Sequence, residues 1–354
     1  MYVLKYYQIF MFFAILGKNN QISLEELKSI NPKNYKEVSD FIITFDDVDK
    51  NKLSNLGGII KWGRVINKNE LTAELQNVKI IGVADESFGK LCKKQFGLKR
   101  FKVVDLFHTD KEVKEKGKEI IKLGSDYGIV NGYQNINLYE KVDFSKPFRD
   151  MKVGMMPAKL THILINIGLT NLDKNKPILI YDPFAGSGTT GFISNFLGYD
   201  FLASDIDINH VEKNYKRRKI TKFYNKQKEF KIFQQDITKK INSDILNSLK
   251  NHQVLIVSEG WLGPIVRQDT SYSQIDKFQD KVWNVYKNFI ENLNEIKEIK
   301  SLVFTIPYYI GKDNSLESDI QNLAEKLKIK FYSIPEIYKR EKQNLGRKII
   351  ILSR

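Results

Sequence analysis

The fold of this chain is decided by the stretch Tyr181-Asp182-Pro183-Phe184-Ala185-Gly186-Ser187-Gly188-Thr189-Thr190. The apolar residues 177–180 before it predict a buried parallel strand. Residues 191–197 after it predict a helix that ends at Gly198. A strand, a glycine-rich turn and a helix are the layout of a nucleotide-type cofactor site. Glycines let the backbone approach a ligand closely, and the helix N-terminus presents free N–H groups.

The residues of the turn separate the candidate cofactors. A P-loop ends in Gly-Lys-Ser/Thr, whereas Gly188 is followed by Thr189, so a phosphate-binding P-loop is excluded. Gly186, Gly188 and Gly191 match the G-x-G-x-x-G spacing of a dinucleotide site. However, Asp182 at the strand tip would repel a pyrophosphate. Because a carboxylate there suits the ammonium group of an amino acid, we predict S-adenosyl-L-methionine as the cofactor.

Two further acidic residues follow predicted strands. Residues 199–207 predict a second strand, and a carboxylate at its end, Asp205, can bind both ribose hydroxyls. Asp236 is placed to meet the adenine amine. Asp207 is predicted to be the N-cap of a helix over residues 208–218. The alternative for all three is a structural role as turn residues and caps.

Composition limits the partners. The chain has 354 residues with 57 Lys and Arg against 42 Asp and Glu, a net charge of +15, which favours nucleic acid as a partner. The alternative is that the positive charge reflects a lysine-rich proteome and has no function, because the lysines are scattered along the sequence. With Cys92 as the single cysteine and four unpatterned histidines, no disulfide and no metal site are expected. The apolar residues 6–16 are too short to span a bilayer and lack a cleavage site, so we expect a cytoplasmic protein without membrane association.

Three regions are predicted along the chain. Residues 1–83 resemble a ferredoxin-like α+β unit of strand, helix, strand, strand, helix and a last strand over 78–83. Residues 84–145 form a second small region, with a lysine-rich helix over 112–123 and a hairpin whose turn is Asn131-Gly132. Residues 146–354 alternate strands and helices, which predicts an α/β, doubly wound, Rossmann-like domain.

A second motif follows the apolar strand at residues 254–257. In a doubly wound sheet this fourth strand ends beside the first, at the crevice where ligands bind. Amine methyltransferases acting on nucleobases place Asp/Asn/Ser-x-x-aromatic there. An exocyclic amine is a weak nucleophile, so acceptors must hold its N–H groups and aim the lone pair. We predict Ser258 as the side-chain acceptor, the Glu259 carbonyl as the second acceptor, and Trp261 as the stacking platform for a base. The alternative is a strand-end turn with a buried Trp.

Together these residues resemble the tRNA guanine-N2 methyltransferase family, whose members carry an N-terminal THUMP-type RNA-binding region. Further segments that resemble the family are residues 11–19, 22–26, 146–150, 154–160, 338–340 and 346–350. The resemblance implies S-adenosyl-L-methionine as donor, guanosine N2 of tRNA or another structured RNA as acceptor, and a THUMP-like RNA-binding region at 84–145. It places Pro157, Asp182, Gly186 and Gly188 at the methionine end of the cofactor, Asp205 at the ribose and Asp236 at the adenine. Phe184 is a further predicted cofactor-binding residue.

The sequence departs from the family where Asp-Pro-Pro-Tyr is usual. Ser258 is a weaker acceptor than a carboxylate, Gly260 lacks the rigidity of proline, and Glu259 could swing in to restore a carboxylate. These departures leave open a DNA or rRNA base amine methyltransferase, or a catalytically silent RNA-binding protein. The resemblance also leaves open a small activating protein subunit and a start at Met11.

Overall fold

The computed structural model describes residues 11–46, 48–146, 148, 155–216, 228–266, 270–312, 314–339 and 345–354. Residues 1–10, and parts of the family-like segments at 146–150, 154–160 and 338–340, lie outside this description. The chain divides into two compact units, Met1–Asn135 and Ile136–Arg354. No helix among the described residues is long and apolar enough to cross a membrane.

The first unit is an α+β unit. Its elements are β1 (Met11–Leu16), α1 (Asn20–Lys28), β2 (Lys33–Ser39), β3 (Ile42–Asp46), α2 (Lys50–Ser54), β4 (Ile59–Ile66), α3 (Lys68–Glu74), β5 (Ile80–Val83), α4 (Glu86–Phe96), β6 (Arg100–Val103), α5 (Lys111–Lys116), β7 (Lys118–Leu123) and β8 (Asp126–Tyr133). Within the described residues, eight strands form one sheet in the order β2-β3-β1-β4-β8-β7-β5-β6.

The ferredoxin-like order of elements is complete by the end of β4. β1, α1, β2, β3, α2 and β4 have this order, with β1 between β3 and β4 in the sheet, although β2 and α2 were not among the predicted elements. The strand predicted over 78–83 exists as β5, but it pairs in parallel with β6 and β7 rather than with β1 to β4. The predicted border after residue 83 therefore falls inside the shared sheet.

Two local predictions in this unit were wrong. The helix predicted over 112–123 ends at Lys116, because Gly117 is extended and packs against Ile80, and the chain continues as β7. Asn131-Gly132 is no hairpin turn but part of β8, beside a register shift against β4. The Asn131 side chain accepts a hydrogen bond from the Arg64 backbone N–H at 3.1 Å, so a turn-forming residue stabilises a bulge.

The second unit contains α6 (Ile136–Phe144), α7 (Ala158–Gly168), a 3₁₀ turn (Leu169–Asn171), β9 (Ile178–Asp182), α8 (Thr189–Phe196), β10 (Asp200–Asp205), α9 (Asn209–Lys216), β11 (Phe230–Gln234), α10 (Ser243–Leu249), β12 (Gln253–Ser258), α11 (Tyr272–Asn294), β13 (Ile299–Tyr309), α12 (Leu316–Leu327), β14 (Lys330–Ser333) and β15 (Leu345–Ser353). Its described strands form a sheet in the order β11-β10-β9-β12-β13-β15-β14. β9 to β13 are parallel, and β15 is antiparallel to both β13 and β14.

Helices cover both faces of this sheet. Neighbouring strand residues point to opposite faces. Leu255 and Val303 therefore contact the end of α7, whereas Phe304 stacks on Tyr286 and meets Phe289 edge to face, both on α11. The strand order reverses at β9, with β10 and β11 on one side and β12 and β13 on the other. The predicted α/β, doubly wound, Rossmann-like domain, which follows a smaller α+β region along the chain, is confirmed. The carboxyl ends of β9 and β12 therefore border the crevice where such sheets bind ligands.

Candidate functional site

The glycine-rich turn joins β9 to α8 in the predicted position. Gly186 and Gly188 have φ values of +50° and +82°, which favour glycine. A Cβ at Gly188 would lie 2.9 Å from Val211 Cγ2, so the turn needs glycine there for space as well. A Cβ at Gly186 would meet only the Phe184 carbonyl oxygen, at 3.9 Å, so the turn is open above this residue. This open, side-chain-free backbone fits a ligand lying close to the turn.

Asp182 ends β9 with its carboxyl group buried. Thr190 Oγ1 donates to Oδ2 at 2.6 Å, and the Phe184 N–H donates to Oδ1 at 3.0 Å. Burial raises the pKa of Asp182 to about 7, with the nearby Asp205 adding to the rise, while these hydrogen bonds oppose it. The carboxyl group therefore changes charge near neutral pH.

Asp205 ends β10 and reaches back to the glycine-rich turn. Its Oδ2 accepts from the Gly186 N–H at 2.8 Å, and its Oδ1 accepts from the Asp207 N–H at 3.0 Å. Burial raises its pKa above the usual range, against the effect of these hydrogen bonds. Unlike Asp182, Asp205 is only half-buried. A second carboxylate thus lies beside the open turn, where the sequence predicts the ribose.

Asp236 follows β11, next to Asp205 in the sheet, because the Gln235 N–H donates to the Asp205 carbonyl at 2.9 Å. Its carboxylate accepts from the N–H and hydroxyl of Thr238 at 3.0 and 2.6 Å. These bonds, led by that from the hydroxyl, hold its pKa below the usual range. Asp236 thus shapes a local turn, as the structural alternative predicts. Asp207 accepts from the Asn209 N–H at the start of α9, as its predicted cap role requires.

The two remaining predicted cofactor residues lie in the scaffold around the turn. Phe184 packs its ring against Tyr286 and Phe289 of α11, at centroid distances of 6.4 and 5.4 Å. Pro157 is buried at the start of α7, which packs against α8. Both residues connect the turn region to the core of the unit.

The end of β12 is held by buried contacts. Ser258 is fully buried, and its hydroxyl oxygen accepts from the Gly260 N–H at 3.0 Å. The Glu259 carbonyl accepts from Thr305 Oγ1 at 2.7 Å, and its carboxylate pairs with Arg347 Nε at 2.6 Å. The Glu259 carboxylate is thus part of a buried ion pair, and its carbonyl already holds one hydrogen bond.

The backbone at Gly260 differs from that of Asp-Pro-Pro-Tyr. Gly260 has φ +70°, which proline, fixed near −65°, cannot adopt. Its Cα faces the Tyr286 hydroxyl so closely that a Cβ would overlap the oxygen. Trp261, the next residue, is 37% exposed. The alternative of a buried Trp is therefore wrong, and an aromatic ring is available at the surface beside the end of β12.

A group of residues that no sequence motif indicated holds Lys146 and Phe148, before α7, to the glycine-rich turn. Lys146 is buried, and its ammonium donates to Ser187 Oγ at 3.0 Å and to Thr189 Oγ1. Asn214 of α9 bonds both backbone groups of Phe148 and donates to the Ser187 carbonyl at 2.9 Å. Lys146 lies in a family-like segment, which was the one available signal. Asn214 had no local pattern.

No family model and no curated protein matches this chain. Its structure is similar to that of a possible methylase from Clostridium difficile 630, with 12% identity, a TM-score of 0.46 and 98% of each chain covered. It is also similar to a delta-N METTL16 methyltransferase domain, with 11% identity, a TM-score of 0.41, and 60% of this chain and 91% of that chain covered. A third similar structure is a magnesium protoporphyrin IX methyltransferase from Synechocystis PCC 6803 with bound SAH. It has 11% identity and a TM-score of 0.38, with 62% of this chain and 93% of that chain covered. At these identities and TM-scores, the likeness assigns no activity to this chain.

Proposed function

We propose that this protein transfers a methyl group from S-adenosyl-L-methionine to an exocyclic base amine in RNA, with guanosine N2 of tRNA as the acceptor. The observation that carries the proposal is the parallel pairing of β9 with β12 where the strand order reverses. It joins the ends of β9 and β12, so the glycine-rich turn and the segment bearing Trp261 border one crevice.

The residues around the turn would hold the cofactor, which supplies an electrophilic methyl group on a sulfonium. Asp182 offers a carboxylate for an amino group, and Asp205 offers one for ribose hydroxyls. The open backbone at Gly186 and Gly188 admits the methionine end, with Pro157 and Phe184 supporting the turn. Asp236 remains our candidate for the adenine amine, through the lone pairs that Thr238 leaves to its carboxylate.

The end of β12 would hold the acceptor. Trp261 presents an exposed ring for stacking, which suits a base turned out of its own stack. Ser258 and the Glu259 carbonyl are the proposed acceptors for the amine, and orienting its lone pair is the main requirement of this reaction. The ion pair with Arg347 and the bond from Thr305 keep the Glu259 backbone in place for this role.

RNA is the acceptor that the charge and the family resemblance favour. The net charge of +15 suits a polyanion. The THUMP-like region at 84–145, which spans the end of the first unit and α6 of the second, would bind the tRNA. A small activating protein subunit and a cytoplasmic location belong to the same proposal. A catalytically silent RNA-binding protein is the second candidate, because Ser258 is neutral and the Glu259 carboxylate is engaged by Arg347.

The decisive experiment incubates the protein with radiolabelled S-adenosyl-L-methionine and total tRNA, followed by nucleoside mass spectrometry. We expect a new N2-methylguanosine peak. Label in RNA or DNA without this nucleoside would contradict the acceptor. Cofactor binding in calorimetry without transfer to any nucleic acid would favour the silent RNA-binding protein.

A further inference from the structure

The segment after β12 runs along α11 toward the start of that helix. Its Gly260 faces the Tyr286 hydroxyl, and a Cβ at Gly263 would lie 2.9 Å from Val282 Cγ2. Since Val282 precedes Tyr286 by about one helical turn, the segment moves from the middle of α11 toward its N-terminus. The segment bearing Trp261 therefore leads from the proposed acceptor side toward the first turns of α11.

The segment after β13 reaches the same half of α11. The Ser315 N–H donates to Gln279 Oε1 at 3.1 Å. Lys312 places its ammonium over the Tyr272 ring, 2.9 Å from the ring centroid. The Asn314 amide donates to the Lys312 carbonyl at 2.7 Å, which fixes the backbone beside it. Lys312 is thus held next to the first turn of α11.

Tyr272 presents a fixed aromatic ring to solvent. Ser271 caps α11 and forms a capping box with Gln274, which stabilises the turn that bears Tyr272. Tyr272 is 66% exposed, although Lys312 lies over its ring. Within the described residues, the Lys312 ammonium meets this ring and no carboxylate. An aromatic ring and a cation are therefore both available to a ligand at one point of the surface.

The surface around these segments is apolar as well as aromatic. Besides Trp261 and Tyr272, Ile265 is 66% exposed, and Ile310 is exposed directly after β13. Single exposed apolar side chains need no explanation, whereas several on neighbouring segments indicate an interaction site. Rings beside lysines bind single-stranded nucleic acid, because the rings stack on bases and the lysines attract phosphates. An apolar protein surface fits less well, since it would desolvate the Lys312 ammonium.

We propose that Tyr272 and Lys312 form an RNA contact for a nucleotide that flanks the acceptor base. Tyr272 stacks on the base of this nucleotide, and Lys312 pairs with a phosphate next to it. Unpaired RNA suits this contact, because only a base outside a helix exposes its faces for stacking. The inference deepens the proposed function and rests on it for the position of the acceptor base beside Trp261.

The test measures binding of a fluorescein-labelled oligouridine to the full chain by fluorescence anisotropy, with duplex RNA of the same length as a second probe. Tyr272→Ala should weaken oligouridine binding about 5-fold to 100-fold, the effect of losing one stacked base. Duplex binding should stay near wild type, because the duplex bases are already stacked. Tyr272→Phe, which keeps the ring, should bind both probes like wild type.

Lys312→Ala separates the phosphate contact from the stacking contact. Loss of one phosphate contact should lower the slope of log affinity against log salt concentration by about 0.7, whereas Tyr272→Ala should leave this slope unchanged. Lys312→Arg should keep the wild-type slope. Tyr332→Ala is the matched control, because Tyr332 is an exposed tyrosine on β14, an edge strand separated from β12 by β13 and β15. It should leave the binding of both probes unchanged.

The outcomes separate the two proposals. Wild-type oligouridine affinity in Tyr272→Ala would overturn this inference and assign the exposed surface to a protein partner, with the proposed function intact. Equal losses on oligouridine and duplex would also overturn it, because stacking would not be the cause. A chain that shows the expected losses but transfers no methyl group to any nucleic acid would overturn the proposed function alone. Tyr272 and Lys312 would then serve the silent RNA-binding protein.

Discussion

Replacing Gly260 with alanine tests whether the segment bearing Trp261 is fixed by the Tyr286 hydroxyl. At φ +70°, an alanine costs about 1–2 kcal/mol. Its Cβ would overlap the Tyr286 oxygen and lie 2.9 Å from Cζ, so the Tyr286 ring must move. That movement breaks the 2.7 Å hydrogen bond that the Tyr286 hydroxyl donates to the Thr305 carbonyl. Leaving these buried groups unsatisfied costs about 1–3 kcal/mol. We expect Gly260→Ala to lower the free energy of unfolding by about 2–5 kcal/mol.

The assay is urea unfolding of the full chain, followed by circular dichroism. Gly198→Ala is the control for backbone strain, because Gly198 has φ +85° and a Cβ there would meet nothing within 4 Å. It should lose only about 1–2 kcal/mol. Tyr286→Phe removes the overlapping oxygen, so Gly260→Ala in the Tyr286→Phe background should lose little more than the control. Equal losses for Gly260→Ala and Gly198→Ala, or the same loss with and without the Tyr286 oxygen, would refute this reasoning.

Further predictions concern the buried charges and the two halves of the site. Burial raises the pKa of Asp182 to about 7, above its unfolded value, so the folded state retains a proton that the unfolded state releases. Stability should therefore fall as pH rises from about 4 to about 7, and Asp182→Asn should flatten this region of a plot of unfolding free energy against pH. Arg347→Met should lower the free energy of unfolding by about 3–5 kcal/mol, because it removes a partner of the buried Glu259 carboxylate. Adding Glu259→Gln should restore part of the lost stability, and no restoration in urea unfolding would argue against the pair. Asp205→Ala should weaken cofactor binding in calorimetry much more than RNA binding, whereas equal loss would mean general unfolding. Trp261→Ala should lower the transfer rate with cofactor affinity near wild type, and an unchanged rate would remove Trp261 from the acceptor side.

The parallel strands of the second unit were predictable from the sequence. Strands buried on both faces read as continuous apolar runs, as in β9 and β12. Glycines at 186 and 188 mark the turn between β9 and α8. The strand order then places Asp182 beside Ser258, so the core of the candidate site followed from local patterns and the rules of doubly wound sheets.

The sheet of the first unit was harder to predict because its signals are weaker. β2 (Lys33–Ser39) is exposed along its whole length, so no apolar alternation marks it as a strand. The lysines of α5 and β7 form one continuous charged pattern, which predicted a single helix. Only Gly117 marks the change from helix to strand. The pair of Glu259 and Arg347 joins residues 88 positions apart. No local pattern could indicate it, because nothing in the neighbouring sequence of either residue points to the other.

The position of β8 in the first sheet has a consequence for how this protein folds during synthesis. β8 is the last strand of its unit, yet it lies between β4 and β7. Until Asp126–Tyr133 has left the ribosome, β4 and β7 each present an unpaired edge that another chain could join. A translational pause before β8 should therefore expose nascent chains to aggregation, and a pause after it should not.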